Sequence, residues 1–216
     1  MVEKELIASD YRKLDLKAYE KLISLQPDQM QLLTMLHKLD KGCSSGLVKL
    51  PDEIGLLQHL TSLKWECSWR MTSVPREIKY LSRLTELSFF ECTGLERLPE
   101  EIGALKSLKE LDLRGCQSLT SLPASIGKLT KLEELDLCEC MSLTTLPEQI
   151  SHIPALRALH LEGCSSFVSL PMGIKKLTWR GCTVTGLDED LFLEGLPGAC
   201  FAPCWGFWGG VLGTSR

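Results

Sequence analysis

Apolar residues recur along this chain in a register marked by proline. Prolines stand at 27, 51, 75, 99, 123, 147 and 171, each 24 residues after the last. Five follow a leucine (Leu50, Leu98, Leu122, Leu146, Leu170), one follows Val74 and one Gln26. In the most regular unit Pro99 leads into Ile102, Leu105, Leu108, Leu111, Leu113, Cys116, Leu119 and Leu122. The next two units fill the same places with Ile126 to Leu146 and Ile150 to Leu170. A fixed period of this length is the mark of a solenoid, in which a unit buries its apolar side only against its neighbours.

The spacing inside a unit predicts its elements. Leu111-Asp112-Leu113 alternates inward, outward, inward, the period of a strand with one buried face. Ile102, Leu105 and Leu108 recur every third residue, which fits a tight 3₁₀ turn on the opposite side. Proline suits the entry to such a turn because its missing N–H has no partner there. Glu53, Glu77 and Glu101 beside it favour the turn's positive end. Strands stacked about 4.8 Å apart then form a parallel inner sheet, and the bulkier outer turns curve the stack with that sheet on the concave side.

These places match the leucine-rich pattern L-x-x-L-x-L-x-x-N/C-x-L, so the fold expected is an α/β solenoid, a right-handed superhelix of about seven 24-residue units over residues 27–187. The block running from Cys116 through Leu119, Leu122, Pro123 and Ile126 to Gly127 resembles the repeats of plant intracellular disease-resistance proteins. The L-P-x-x-I-G segment is also similar to that of Ras-pathway-scaffold leucine-rich repeats. The resemblance implies a non-enzymatic protein-recognition module in intracellular defence or signalling. Its alternative is a constitutive scaffold for signalling enzymes. Disease-resistance proteins of this kind carry a nucleotide-binding module ahead of the repeats. No G-x-x-x-x-G-K-[ST] stands here, so the resemblance extends to the sensing surface, as a separate relative or a fragment of a larger protein.

Both ends depart from the pattern. Pro27 opens a degenerate unit with Met30, Leu33, Leu36, Leu39 and Leu47, where Lys41 takes an inward strand place. Upstream, Leu14-Asp15-Leu16 reads as a worn strand with one extra residue before Pro27. Alternatively, Tyr11, Leu14, Ala18 and Leu22 share a helical face that would make residues 10–25 an amphipathic cap. The cap is preferred, because terminal repeats need a modified outer surface. After Pro171 the reading is a shortened unit whose strand is restored over Ile174–Cys182. Residues 188–216 hold an irregular glycine, cysteine and aromatic stretch: a cap over the core's open end, an attachment point, or read-out from an imperfect gene prediction.

Composition narrows the function. Hydrophobic residues make up 44% and aromatics only 6%, so the core is aliphatic. A net charge of −4 gives no clustered basic face for nucleic acid. No stretch reaches the roughly 20 apolar residues of a membrane span, and the N-terminus lacks a secretory apolar run. The expectation is a cytoplasmic protein with reduced thiols. Cys92, Cys116, Cys140 and Cys164 repeat at 24 and read as an inward structural ladder at the turn after each strand. Cys200 and Cys204 have metal spacing without a second pair, so neither metal nor cofactor is expected.

The outward strand places form the candidate binding face. They include Glu86, Phe90, Glu110, Asp112, Arg114, Glu134, Asp136, His160 and, on the last rung, Arg180. Glu86, Glu110 and Glu134 align as an acidic column suited to a protein partner with a basic patch. His160 is a lone surface histidine with no base or nucleophile set around it, which argues against an enzyme. Trp65, Phe89 and Trp179 fall on the second inward strand place and are assigned to core packing.

Overall fold

The computed structural model describes residues 13–14, 36–40 and 49–186. Eight parallel strands lie side by side in sequence order: β1 (Lys13–Leu14), β2 (Lys38–Asp40), β3 (Ser62–Lys64), β4 (Glu86–Ser88), β5 (Glu110–Asp112), β6 (Glu134–Asp136), β7 (Ala158–His160) and β8 (Thr183–Thr185). From β2 to β7 each step advances the register by 24 residues, so Leu39, Leu63, Leu87, Leu111, Leu135 and Leu159 form one inward column. The ladder continues past the strands through bonds such as Phe89 N–H to Asp112 O at 2.9 Å and Leu113 N–H to Asp136 O at 2.8 Å.

Among the described residues the opposite wall is built from five 3₁₀ turns: η1 (Asp52–Leu56), η2 (Arg76–Tyr80), η3 (Glu100–Ala104), η4 (Ala124–Lys128) and η5 (Glu148–His152). Each starts after an extended proline whose carbonyl takes the first bond, as Pro99 does from the Ile102 N–H at 3.1 Å. Ile54, Ile78, Ile102, Ile126 and Ile150 point from these turns into the core and are fully buried. Glycine after the isoleucine lets successive turns touch: a Cβ on Gly127 would sit 2.5 Å from the Gln149 carbonyl oxygen. Trp65 and Phe89 are in the core, as their place in the pattern requires.

The ends correct two expectations. Lys13–Leu14 is a strand paired with Lys38–Leu39, so these two residues are extended and not helical, while the rest of the 10–25 cap and Asp15-Leu16 of the worn strand lie outside the described residues. The extra residue is present: Leu14 and its partner Leu39 are 25 apart. The rest of 1–26, most of the Pro27 unit and residues 187–216 with Cys200 and Cys204 lie outside the described residues.

After Pro171 the chain forms α1 (Ile174–Trp179), not a strand. Ile174 and Leu177, three apart, turn into the core and take the place of an outer turn, which leaves Trp179 83% exposed rather than packed inside. The strand comes later, at β-branched Thr183-Val184-Thr185, where Thr183 pairs with Ala158 at a spacing of 25. The last unit is therefore full length. Among the described residues no helix is long and apolar enough to cross a membrane.

Candidate partner-binding face

Alternation along the strands puts three columns on the concave side. The first holds Ser62, Glu86, Glu110 and Glu134, and the second Lys64, Ser88, Asp112, Asp136 and His160. Phe90, Arg114, Cys138 and Glu162 follow two places further along each chain. Two shallow, open depressions run along these columns. Lys64, Glu86 and Glu110 line one, Cys138, His160 and Glu162 the other, and both share Arg114, Glu134 and Asp136.

Stacked carboxylates repel, and Glu86, Asp112 and Asp136 on these columns are compensated from neighbouring strands. Lys64 Nζ lies 2.6 Å from Glu86 Oε1, and the Ser62 hydroxyl donates to Glu86 Oε2 at 2.8 Å. Burial opposes the charge on Glu86, but these donors outweigh it and hold the carboxyl below its ordinary range. Asp112 accepts from the Ser88 hydroxyl at 3.2 Å and the Arg114 N–H at 3.0 Å. Asp136 accepts from Arg114 Nη2 at 2.5 Å and the Cys138 N–H at 2.9 Å. Its buried carboxyl also titrates low, because those donors overcome the cost of burial.

Glu110 differs. It is exposed at the centre of the column, between Glu86 and Glu134, and has no ion pair or side-chain hydrogen bond among the described residues. Glu134 is exposed as well, with His160 Nε2 3.7 Å from its Oε1, while His160 Nδ1 meets the Thr185 hydroxyl at 3.0 Å. The open negative charge is thus concentrated on two of the three glutamates in the column.

Cys138 is the side chain a catalytic reading would need, and its surroundings suppress it. Burial, the hydrogen bond to Glu162 Oε2 at 2.9 Å and the Asp136 carboxylate all push the thiol well above its ordinary pKa. A thiol held protonated is a poor nucleophile and metal ligand. Among the described residues no three His, Cys, Asp or Glu side chains are placed to hold a metal. Arg180 is not on this face. It ends α1, and its guanidinium donates to the Ser151 and Ile153 carbonyls at 3.1 and 2.6 Å, clamping the last helix to η5.

The repeated cysteines turn inward. Cys92, Cys116, Cys140 and Cys164 donate their thiols to the carbonyls of Trp65, Phe89, Leu113 and Leu137, one coil back, at 3.0–3.3 Å. The Phe89 carbonyl also takes the Cys92 N–H at 3.0 Å, so one acceptor joins two coils. Burial pushes the Cys116 and Cys140 thiols far up and the Cys164 thiol up to about 11. Cys67 differs: it is disulfide-bonded, so the expectation of reduced thiols does not extend to it.

Sequence reasoning missed two features of the face. One is the burial of Asp136. The other is a left-handed backbone at the strand exits, at Cys67 (φ 54°), Glu91 (φ 53°), Gly115 (φ 73°), Glu139 (φ 60°) and Gly163 (φ 77°). Gly115 and Gly163, two periods apart, were the available signal.

A family model for leucine rich repeats matches residues 106–165. No curated protein matches the chain. Among solved structures, the leucine-rich-repeat protein LIC12759 of Leptospira interrogans is 28% identical, with a TM-score of 0.56, over 82% of this chain and 49% of that one. A TDR receptor is 20% identical with a TM-score of 0.50, over 82% of this chain and 33% of that one. The leucine-rich-repeat domain of the type III effector XopL is 25% identical with a TM-score of 0.42, over 74% and 71% of the two chains. This chain spans about half the length of the Leptospira protein. The family match over residues 106–165, the likeness to the Leptospira structure and the coil geometry agree on a leucine-rich-repeat solenoid, a fold that generally serves as a non-enzymatic scaffold for binding proteins.

Proposed function

We propose that this chain binds a protein partner across its concave face, through a basic segment of that partner. The observation that carries the reading is the exposed, unpaired Glu110 between Glu86 and Glu134, on a sheet where Glu86, Asp112 and Asp136 are held by neighbours. A lysine or arginine laid along the column meets charge that the chain itself has not compensated, and the half-exposed Arg114 beside it sets a limit on where that cation sits. The open depressions suit an extended segment or a row of side chains, not an enclosed small molecule.

The biological setting we propose is intracellular defence or signalling, which rests on the likeness of the Cys116–Gly127 block to disease-resistance repeats. The protonated thiol ladder suits a reducing compartment, whereas the Cys67 disulfide weighs toward an oxidising one.

The test is selection from a random peptide library on the immobilised chain. Peptides enriched on the wild type carry clustered lysine or arginine, and the enrichment disappears on Glu110→Lys with Glu134→Lys. Enrichment without basic residues, or peptides retained equally by both proteins, would contradict the reading.

A further inference from the structure

The net charge of −4 hides a basic strip. After each outer turn the chain returns to the sheet through a short crossing whose leucines, three apart, are buried: Leu81 and Leu84, Leu105 and Leu108, Leu129 and Leu132. That spacing turns the residues beside them outward. Residues 79–85, 103–109 and 127–133 hold six lysines and arginines against a single carboxylate, Glu133. Backbone bonds join the crossings, as from the Lys109 N–H to Thr85 O at 2.8 Å and the Glu133 N–H to Lys109 O at 2.7 Å. Successive crossings therefore keep the strand spacing of about 4.8 Å.

One of the six cations is neutralised within the chain: Lys109 Nζ lies 3.3 Å from Glu133 Oε1. The other five, Lys79, Arg83, Lys106, Lys128 and Lys131, are exposed and form no ion pair among the described residues. Lys106 Nζ donates to the Lys128 carbonyl at 2.8 Å, which lays it on the next crossing. Lys79 lies over the Tyr80 ring, 5.0 Å from its centre. Tyr80 and Leu56, one coil apart, add two half-exposed apolar side chains at the N-terminal end of the strip.

We propose that this crossing edge is a second docking surface, for an acidic segment of a partner protein with an apolar side chain at one end. The strip is narrow: Glu77 and Glu101 stand on its outer-turn side, and Glu110 and Glu134 on its sheet side. An anionic membrane plane meets those carboxylates along with the lysines, whereas a single extended segment fits between them. Four of the five cations are lysines, and neither concave depression includes any of the five. Separate point charges along an open edge suit carboxylates better than phosphates, which favour guanidinium forks and enclosed backbone nests. Leu56 and Tyr80 offer apolar contact that a nucleic-acid backbone leaves unused. The edge is distinct from the concave column and does not depend on what that column binds.

Fluorescence anisotropy on the full chain tests this with a labelled peptide, mostly glutamate with a leucine and a tyrosine at one end. Lys106→Glu with Lys131→Glu should weaken its binding at least about tenfold. Arg76→Glu with Arg97→Glu makes the same change in net charge elsewhere and should alter binding less than about twofold. Glu110→Lys with Glu134→Lys should retain the peptide, which separates this edge from the concave face. In the wild-type complex, hydrogen exchange should slow at residues 79–84, 104–108 and 128–132. Equal loss from both glutamate reversals, or protection confined to the concave strands, would overturn the proposal. So would tighter binding of phosphatidylserine vesicles or single-stranded DNA than of the peptide.

Discussion

Asp136 offers the sharpest test of how the concave face is held together. Alternation along β6 assigns it to solvent, yet its side chain is only 8% exposed. Its carboxylate takes one bond from Arg114 at 2.5 Å and one from the Cys138 N–H at 2.9 Å. Asp136→Ala removes a charged acceptor and leaves a half-buried N–H without its partner. Bonds to a charged group contribute about 1.5–3 kcal/mol each, but Arg114 is 49% exposed and recovers water when released. The expected cost is therefore about 2–3 kcal/mol, against less than about 0.5 kcal/mol for Glu110→Ala in the neighbouring open column.

Urea denaturation followed by circular dichroism reads this as a lower midpoint with an unchanged slope. In an Arg114→Ala background the same substitution should cost at least about 1 kcal/mol less. The pH dependence follows from the lowered carboxyl pKa. The unfolded group titrates at about 3.9 and the folded one below it, so the stabilisation is complete well above about pH 4 and is lost as pH falls through the folded value. A cost under about 0.5 kcal/mol for Asp136→Ala, the value of an ordinary surface position, would refute the reasoning.

Other outcomes follow from the same geometry. Leu135→Ala, at a fully buried inward place, should cost about 2–5 kcal/mol, and Gly127→Ala, which drives a methyl against the Gln149 carbonyl, about 1–3 kcal/mol; thermal melts of both check the coil packing. Glu91→Gly relieves a left-handed backbone (φ 53°) and should raise stability by about 0.5–1 kcal/mol in the same assay. Alkylation of Cys116 and Cys140 in the native state should run roughly a hundredfold slower or more than in the unfolded chain, as peptide mapping after timed iodoacetamide treatment would show.

How much of this was legible in the sequence varied along the chain. The coil period, the strand places and the isoleucine wall follow from spacing alone, because identical neighbours leave each leucine one place to go. Where neighbours cease to repeat, the pattern misleads. Ile174, Leu177 and Trp179 read as the L-x-x-L-x-L places of a strand rung, but Ile174 and Leu177, three apart, also share one face of a helical turn, and the helix won. That choice moved Trp179 from the core to the surface and Arg180 from the concave face to the back of η5.

On the face itself, the columns were legible and the pairing within them was not. Nothing in the composition of Glu86, Glu110 and Glu134 distinguishes them. Lys64 and Ser62 reach only the first, His160 approaches only the last, and Glu110 is left unpaired by what its cross-strand neighbours happen to be. Asp112 and Asp136 likewise look equivalent in sequence, but Arg114 folds over the second and removes it from solvent.

Protein binding on the concave column can be read by affinity capture from native cell extract. Three baits of matched stability are compared by mass spectrometry: the wild type, Glu110→Lys with Glu134→Lys, and a charge-matched control on the outer turns, Asp52→Lys with Glu53→Lys. A partner should be held by the wild type and the outer-turn control and lost from the concave reversal, with a basic segment in that partner protected from exchange on binding. A partner held equally by all three, or lost only from the outer-turn variant, would contradict it.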